Sequence, residues 1–390
     1  MAAETTVGST RSAAMGRSGI REVMDLASGL DSVIHLEIGE PNFPTPAHVV
    51  DAIAPWLATG AVKYTLSRGM PSLREALVAK LAVRNGVTAG VDQIVVTPGA
   101  TTAVTVAVLS FVEPGEAVLV PDPGWPAFSM AVHLAGGRVL RYPLLAEEGF
   151  EPDLDALEAL APQARLLIVN NPSNPTGTVY SPATVQALVG LARRHDLLVI
   201  SDEVYEDLVF DGHHVSAAIY DPDRVVTMFS FSKSYAMTGW RVGYAVGPRA
   251  RIERMVHVQE ALVACASEVG QRAALAALEG PQDVIADMRL GYRRRWELVR
   301  PLVEEAGMLT SEPRGAFYAL LGVGAIGEDT YAVARELLLE RGVAVAPGET
   351  FGPRGRGLVR ISLASSTDDL VAGVERIVRA QRGAPEPMEV

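Results

Sequence analysis

The chain has 390 residues, of which 48% are hydrophobic and 21% charged, and its formal net charge is −12. This composition excludes an intrinsically disordered protein and predicts two or three folded domains at about 150 residues per domain. The acidic balance disfavours binding to nucleic acid or to an anionic membrane surface, because like charges repel. The single cysteine, Cys265, excludes an internal disulfide and is typical of a cytoplasmic protein.

The N-terminal region carries no recognisable targeting or membrane segment. Residues 1–18 are rich in small and polar residues, and we expect them to form a flexible arm. Charged residues interrupt the first 30 positions, so no secretory signal is expected. The uncharged stretch 93–112 contains Pro98-Gly99 and four threonines, which favours a strand, a turn and a buried helix over a membrane span. The seven histidines show no metal-binding spacing, so no metal site is expected.

From residue 70 to residue 285 short apolar runs alternate with helical stretches. Helices are predicted over 72–82, where Lys80 should be solvated, and over 181–194, where a serine precedes a proline at the first helical position. Such alternation predicts an α/β fold with a mainly parallel sheet and helices on both faces. The predicted strands are 94–97, 117–120, 166–169, 197–201, 225–230 and 243–247.

After Gly280-Pro281 the pattern changes to that of a smaller α+β unit with a Pro/Glu-rich tail. Its helical periodicity is interrupted by two apolar runs typical of strands. The predicted elements are helices over 283–306, 329–341 and 367–382 and strands near 317–321 and 358–363.

Lys233 is the strongest candidate for lysine chemistry. Only three of the 34 basic residues are lysines, and Lys233 directly follows the predicted strand 225–230. A lysine at the end of a buried strand loses hydration, which lowers its pKa and makes the free amine available as a nucleophile. A lysine that merely extends its amine from the strand end to solvent is the alternative.

Three further motifs follow predicted strands, at the edge where parallel sheets bind ligands. Asp202 can hold a cationic heterocyclic nitrogen, or it can cap a following helix. The turn at Gly99 leaves free amides at Ala100 and Thr101, which fits a phosphate site. Residues 170–177 contain two Asn-Pro pairs, which either project amide side chains into the crevice or form only a turn.

The order of five motifs resembles that of the class I and II aminotransferases, which are fold-type I enzymes that use pyridoxal 5′-phosphate (PLP). The motifs are PGAT, NNPSNPTG, SDEVYEDL, SFSKSYAMTGWRVGY and LVRISLA, and the resemblance spans residues 19–379. It implies a large PLP-binding α/β domain over residues 51–290 with a mostly parallel seven-stranded sheet. A smaller α+β domain would combine residues 19–50 with residues 291–390.

The resemblance implies an enzyme that moves an amino group from an L-amino acid to a 2-oxo acid in ping-pong half-reactions. Lys233 would form a Schiff base with PLP and shuttle a proton, Asp202 would pair with the ring nitrogen, and Tyr205 would donate to the ring oxygen. The other implied cofactor contacts are Ala100, Thr101, Ser230, Ser232 and Arg241 at the phosphate, Trp125 on the ring and Asn174 at the ring oxygen. The implied substrate contacts are Gly39, Trp125, Asn174 and Arg360, although ordinary core packing is an alternative for Trp125.

Tyr64 matches a family tyrosine that reaches the phosphate of the neighbouring subunit, so the resemblance implies a homodimer with shared active sites. Two other classes of protein on this scaffold remain as alternatives. One is an eliminating PLP enzyme such as a Cβ-S lyase, because the first half of its chemistry is the same. The other is a non-catalytic PLP-binding regulator, which the acidic balance and the intact motif residues disfavour.

The resemblance also bears on the amino donor. Aspartate-specific relatives carry an extra cation, either a lysine where this chain has Thr101 or a partner arginine near residues 266–267. Neither cation is present here, which favours a neutral donor. A dicarboxylate held by another arginine is the alternative, with Arg17, Arg21 and Arg68 as the candidates.

Overall fold

The computed structural model describes residues 9–13 and 15–383. Their helices are α1 Thr10–Ala13, α2 Gly19–Ala27, α3 Ala47–Leu57, α4 Pro71–Lys80, α5 Ala100–Phe111, α6 Pro126–Ala135, α7 Leu154–Leu160, α8 Pro182–Arg194, α9 Phe231–Ser234, α10 Arg249–Val263, α11 Glu268–Glu279, α12 Asp283–Glu305, α13 Thr330–Arg341 and α14 Thr367–Gln381. Their strands are β1 Ile34–His35, β2 Ile94–Thr97, β3 Ala117–Asp122, β4 Arg138–Leu145, β5 Glu151–Pro152, β6 Leu166–Asn170, β7 Leu198–Asp202, β8 Val225–Ser230, β9 Gly243–Val246, β10 Tyr318–Gly322, β11 Val343–Ala344, β12 Ala346–Pro347 and β13 Leu358–Ser362. Within this part of the chain, no helix combines the length and the apolarity needed to cross a bilayer.

A large, mostly parallel sheet forms the centre of the molecule, in the order β2-β9-β8-β7-β6-β3-β4-β5. Only β9 and β5 run against the other strands of this sheet. The α/β fold is therefore confirmed, but the sheet has eight strands rather than seven, because the two-residue strand β5 pairs with the end of β4 and forms the edge of the sheet. β4 was absent from the sequence prediction, since its arginines interrupt the apolar pattern of a central strand.

Helices cover both faces of this sheet, as predicted from the alternation. Successive strand residues point to opposite faces, so Leu167 and Val169 join one apolar cluster while Leu166 and Ile168 join the other. α8 begins where the sequence placed it, because the Ser181 hydroxyl accepts from the Thr184 amide at 3.1 Å. Burying both faces fixes the strand ends, and the polar turns that follow them, at one edge.

The N-terminal helix α2 and the C-terminal elements share a third apolar cluster. It contains Val23 of α2, Trp296 of α12, Leu337 of α13 and Ile377 of α14 around the three-stranded antiparallel sheet β10-β13-β12. The predicted helix 283–306 is confirmed to within one residue. This cluster also includes Tyr205, which follows β7 of the large sheet, so the two parts of the fold meet beside that strand end.

Two local expectations are wrong or fall outside the described part of the chain. Lys80 is not solvated: its side chain is 8% exposed and pairs with Glu206, which the sequence separates from it by 126 positions. Of the predicted arm, residues 1–8 and residue 14 lie outside the described residues, and Thr10–Ala13 forms a single helical turn. The C-terminal tail from residue 384 onward is also outside them.

Candidate active site

The candidate site begins at the carboxyl ends of three neighbouring parallel strands. In the sheet register Asn170 of β6 lies beside Asp202 of β7, and Asp202 lies beside Met228 of β8. β8 ends at Ser230, and the short helix α9 follows immediately and carries Lys233. Parallel pairing therefore brings together groups that are far apart in the sequence.

A cavity of about 880 Å³ opens at these strand ends. All the site residues predicted from the sequence line it except Tyr64. The Tyr64 side chain is instead 88% exposed at the surface. The predicted cofactor and substrate contacts therefore lie around one cavity, whereas the Tyr64 side chain lies on the surface, where another molecule can contact it.

Lys233 presents its amine to the cavity. The residue is half-buried, and Nζ donates a hydrogen bond to the carbonyl oxygen of Gly39. Desolvation and the nearby cation of Arg360 lower the pKa of Lys233 to about 8. Because an ordinary lysine titrates near 10.4, a much larger fraction of this amine is neutral at physiological pH. A lysine that only extends to solvent would not show this environment.

Asp202 is a buried carboxylate with few partners. It is 2% exposed, and its Oδ1 accepts a weak hydrogen bond of 3.3 Å from the Val204 amide. Burial raises the pKa of Asp202 to about 7. The segment that follows is a turn, so the alternative role of Asp202 as a helix cap is wrong. A cationic ring nitrogen placed here would supply the missing charge-assisted partner.

The turn between β2 and α5 has the shape and the donors of an anion site. Gly99 has φ +81, and a Cβ at this position would lie 2.7 Å from Nη2 of Arg241. α5 starts at Ala100 without a side-chain cap, so its first amides remain available as donors beside Thr101. Arg241 is steered by a 2.8 Å bond from Nη1 to the Thr238 carbonyl. A phosphate fits this combination of free amides and guanidinium.

Two serines complete the same region. The Ser230 hydroxyl accepts from the Ser232 amide at 3.1 Å, which caps the one-turn helix that carries Lys233. Both serines line the cavity. Their hydroxyl groups therefore lie on the same wall as the lysine amine and can add donors to a bound phosphate.

Arg360 forms the opposite wall. It is 2% exposed, and Nη1 donates to Oδ1 of Asn174 at 3.1 Å while Nη2 donates to the carbonyl of Glu37. Its Nε is buried with no hydrogen-bond partner within the described ranges. A buried guanidinium whose Nε makes no hydrogen bond in the described part of the chain is suited to binding the carboxylate of a ligand.

Aromatic side chains close the site. The Tyr205 hydroxyl lies 3.1 Å from the hydroxyl of Tyr318, and burial holds the pKa of Tyr205 well above its usual range. Trp125 lines the cavity and also packs edge-on against Phe128 with ring centroids 5.3 Å apart. Core packing and cavity lining are thus both realised by the same Trp125 ring.

Sequence reasoning missed several residues of the cavity wall, of which Tyr318 and the segment beside α2 are two examples. Tyr318 lies at the start of β10, in a region where the sequence showed only an apolar run. Gly16 and Ser18 lie next to α2 and line the cavity beside the candidate Arg17, although the sequence placed them in the arm. No local sequence pattern indicated these contacts, because they depend on how the C-terminal elements and α2 pack against the large sheet.

The three arginines proposed for a dicarboxylate lie in different environments. Arg17 lines the cavity but pairs with Asp25. Arg68 pairs with Glu253 and is not part of the cavity wall. Arg21 lines the cavity, and its Nη1 donates to Sδ of Met24 at 3.9 Å. Among these three, Arg21 alone has no carboxylate partner in the described part of the chain.

The cavity brings together a lysine amine, a buried carboxylate and a buried guanidinium, and comparison with known proteins identifies the family of the chain. The chain belongs to the family described as aminotransferase class I and II, whose model matches residues 31–377. It is 38% identical over 355 residues to the aspartate/prephenate aminotransferase of Thermus thermophilus, covering 90% of this chain and 91% of the relative. It is 36% identical over 351 residues to the arginine–pyruvate transaminase of Pseudomonas aeruginosa, covering 89% of each.

Solved structures agree with this assignment. The aspartate aminotransferase of Thermus thermophilus, solved with maleate, superposes with a TM-score of 0.92 at 37% identity. The match covers 96% of this chain and 100% of that one. The protein is therefore an aminotransferase by family and by fold. In the described residues no group of three or more histidine, cysteine, aspartate or glutamate side chains is arranged to hold a metal ion.

Proposed function

We propose that this enzyme uses PLP to move an amino group from a neutral L-amino acid to a 2-oxo acid by a ping-pong mechanism. The observation that carries the proposal is that one cavity is lined by Lys233, Asp202 and Arg360. These three residues supply a nucleophilic amine, a buried anion and a buried cation. That combination matches the aldehyde, the ring nitrogen and the substrate carboxylate that an aminotransferase must bind.

The residues of the cavity fit the cofactor. The turn at Gly99, which leaves no room for a Cβ, together with Arg241, Ser230 and Ser232, would hold the phosphate. Asp202 would hold the ring nitrogen. The cofactor, when bound, supplies an aldehyde that accepts amines and a ring that withdraws electrons from the carbon bearing the amine. The remaining chemistry belongs to the side chains of this chain.

Lys233 is the base of the reaction. Its lowered pKa of about 8 allows it both to release and to take up a proton near neutral pH. Asp202 stays anionic beside a cationic ring nitrogen, because an opposite charge lowers the pKa that burial has raised. Tyr205 remains protonated over the working range and can donate its hydrogen to the ring oxygen. The carbonyl of Gly39 orients the lysine amine.

Arg360 and Asn174 would fix the α-carboxylate of each amino acid. The wall that remains for the substrate side chain includes the half-buried residues Ile20, Met24 and Ile38. Apolar groups stabilise an apolar side chain by about 25 cal/mol per Å² of surface removed from water. A neutral aliphatic or aromatic donor suits this wall.

A dicarboxylate is the second candidate, favoured by Arg21 in the same cavity. The experiment is a spectral screen of twenty amino acids, followed by steady-state kinetics of wild type and Arg21→Met. A neutral donor should remain the best substrate in both proteins. A catalytic efficiency for aspartate or glutamate tenfold above alanine, phenylalanine, valine and leucine, abolished by Arg21→Met, would contradict the neutral assignment.

The catalytic assignment is tested with Lys233→Ala, using Lys63→Ala as the matched control because Lys63 is exposed. The Lys233 variant should retain the fold but transfer no amino group, whereas the control should keep full activity. Full activity of the Lys233 variant would refute the mechanism. Release of ammonia or thiol without a 2-oxo acid acceptor would instead identify an eliminating enzyme such as a Cβ-S lyase.

We further propose that the enzyme works as a homodimer with shared active sites. Tyr64 and Leu66 are 88% and 59% exposed on one surface segment, an unusual position for large apolar groups unless a partner covers them. Tyr64→Ala and Lys233→Ala proteins should each be impaired, and mixing them should restore activity through hybrid dimers. No recovery in demonstrated hybrids would show that Tyr64 does not serve the neighbouring site.

A further inference from the structure

Tyr318 lies where the principal groups of the proposed site meet. It is 2% exposed, and its hydroxyl lies 3.1 Å from that of Tyr205. The Arg360 guanidinium carbon lies 4.2 Å from the centre of the Tyr318 ring. A Cβ at Gly39 would approach the Tyr318 hydroxyl to 2.2 Å, so the hydroxyl also lies against the backbone that receives the Lys233 amine.

The position of Tyr318 follows from strand register. β10 and β13 are antiparallel, with Tyr318 opposite Ser362 and Leu320 opposite Arg360. Tyr318 and Arg360 are therefore diagonal neighbours on one face of the ladder, at a separation that long side chains span. The pairing of β10 with β13 thus places the Arg360 cation over the Tyr318 ring.

The donor and the acceptor of the hydrogen bond between Tyr318 and Tyr205 can be assigned. Tyr205 has a single hydroxyl hydrogen, and in the proposed function that hydrogen goes to the ring oxygen of the cofactor. The Tyr205 oxygen must then accept in the 3.1 Å contact, and Tyr318 must donate. Burial raises the pKa of both tyrosines, so both hydroxyls keep their hydrogens over the working range.

We propose that Tyr318 is a positioning residue, whose hydroxyl orients Tyr205 toward the cofactor while its ring supports the carboxylate-binding face of Arg360. The inference rests on the proposed function and adds a residue that acts through Tyr205 and Arg360. The two roles use different parts of one side chain. They can therefore be separated by substitution.

Tyr318→Phe removes the hydroxyl and keeps the ring. A hydrogen bond to the ring oxygen stabilises its deprotonated state, so weakening the Tyr205 donor should raise the apparent pKa of the cofactor absorbance. We expect a rise of about 0.5 to 1 pH unit, with unchanged KM for the amino donor. Tyr318→Leu removes the ring as well and should raise that KM about tenfold or more.

The measurement is an absorbance titration of the purified holoenzyme, with Tyr292→Phe as the matched control. Tyr292 is in the same aromatic cluster, and its buried hydroxyl has no hydrogen-bond partner within the described ranges. Its substitution should leave the titration unchanged. In a Tyr205→Phe background, Tyr318→Phe should add no further shift, because the effect passes through Tyr205.

Three outcomes would overturn the inference. They are an unshifted titration in Tyr318→Phe, an equal shift in Tyr292→Phe, and a shift that persists undiminished in the Tyr205→Phe background. If the wild-type protein binds PLP and transfers amino groups, any of these outcomes would refute the role of Tyr318 and leave the proposed function intact. A wild-type protein that acquires no cofactor absorbance would overturn the proposed function together with it.

Discussion

The buried ion pair between Lys80 and Glu206 links helix α4 to the turn that follows Asp202. Both side chains are 8% exposed. Nζ of Lys80 also donates to Oδ1 of Asn85 at 2.9 Å and lies 4.5 Å from the centre of the Phe229 ring. Burial raises the pKa of Glu206, and Lys80 opposes that rise. Lys80 therefore favours the ionised form of a carboxylate that burial disfavours, next to the segment that carries Tyr205.

Lys80→Met removes the cation and keeps the length of the side chain. Removing one partner of a buried pair costs about 3–5 kcal/mol, because the other charge is left without compensation. A second substitution, Glu206→Gln, removes that charge and can still accept from Asn85, whose amide donates to Glu206. We therefore expect Lys80→Met to lower the free energy of unfolding by about 3 kcal/mol or more, and the double variant to recover most of the loss.

The loss should also depend on pH. In Lys80→Met the folded pKa of Glu206 rises further above its unfolded value of about 4.3. For an acid whose folded pKa is raised, the penalty is absent below the unfolded pKa and complete above the folded pKa. The free energy of unfolding of Lys80→Met should therefore be closer to that of the wild type at pH 5 than at pH 8. These two pH values lie on either side of neutrality.

The assay is equilibrium unfolding in urea followed by circular dichroism at both pH values, with Lys63→Met as the control. Lys63 is exposed, so its loss should change stability by less than about 0.5 kcal/mol. A Lys80→Met protein no less stable than this control would refute the reasoning. So would a double variant as unstable as Lys80→Met, because the uncompensated charge could not then be the cause.

Three further predictions concern the cavity. Gly99→Ala should weaken PLP binding about tenfold or more, measured by fluorescence titration of the apoenzyme, because the Cβ would lie 2.7 Å from Arg241 at positive φ; unchanged affinity would place the phosphate elsewhere. The rate at which apoenzyme takes up PLP should rise with pH through about 8, where Lys233 loses its proton, and a flat profile would contradict that pKa. Asp202→Asn should lower kcat by about 100-fold or more, since a neutral amide cannot hold the ring nitrogen charged; near-normal turnover would exclude the ion pair.

Much of the fold could be predicted from the sequence because its signals are local. The apolar runs of β6, β7 and β8 are continuous, as expected for strands buried on both faces, and the Ser181 cap marks the start of α8. β4 escaped prediction because it pairs with β3 alone over residues 138–143, and its arginines interrupt the apolar pattern. β5 is only two residues long, and its existence depends on a partner strand.

The candidate site likewise has residues that local motifs predict and contacts that form only on folding. The types and order of Asp202, Lys233 and Arg360 could be predicted from the sequence, since each belongs to a short motif. Their roles are proposals, and the variants above test those of Asp202 and Lys233. Local patterns along the chain are thus enough to predict the family, the parallel sheet and the chemical groups at the strand ends.

The distant groups that surround these site residues become known only from the folded chain. Strand register places Tyr318 against Arg360, and helix packing places Lys80 against Glu206. Burial and the charge of neighbours set the pKa of Lys233 and Asp202. Hydrophobic pattern and turn chemistry act over a few residues, whereas desolvation and electrostatic interactions depend on residues that meet only when the chain is folded.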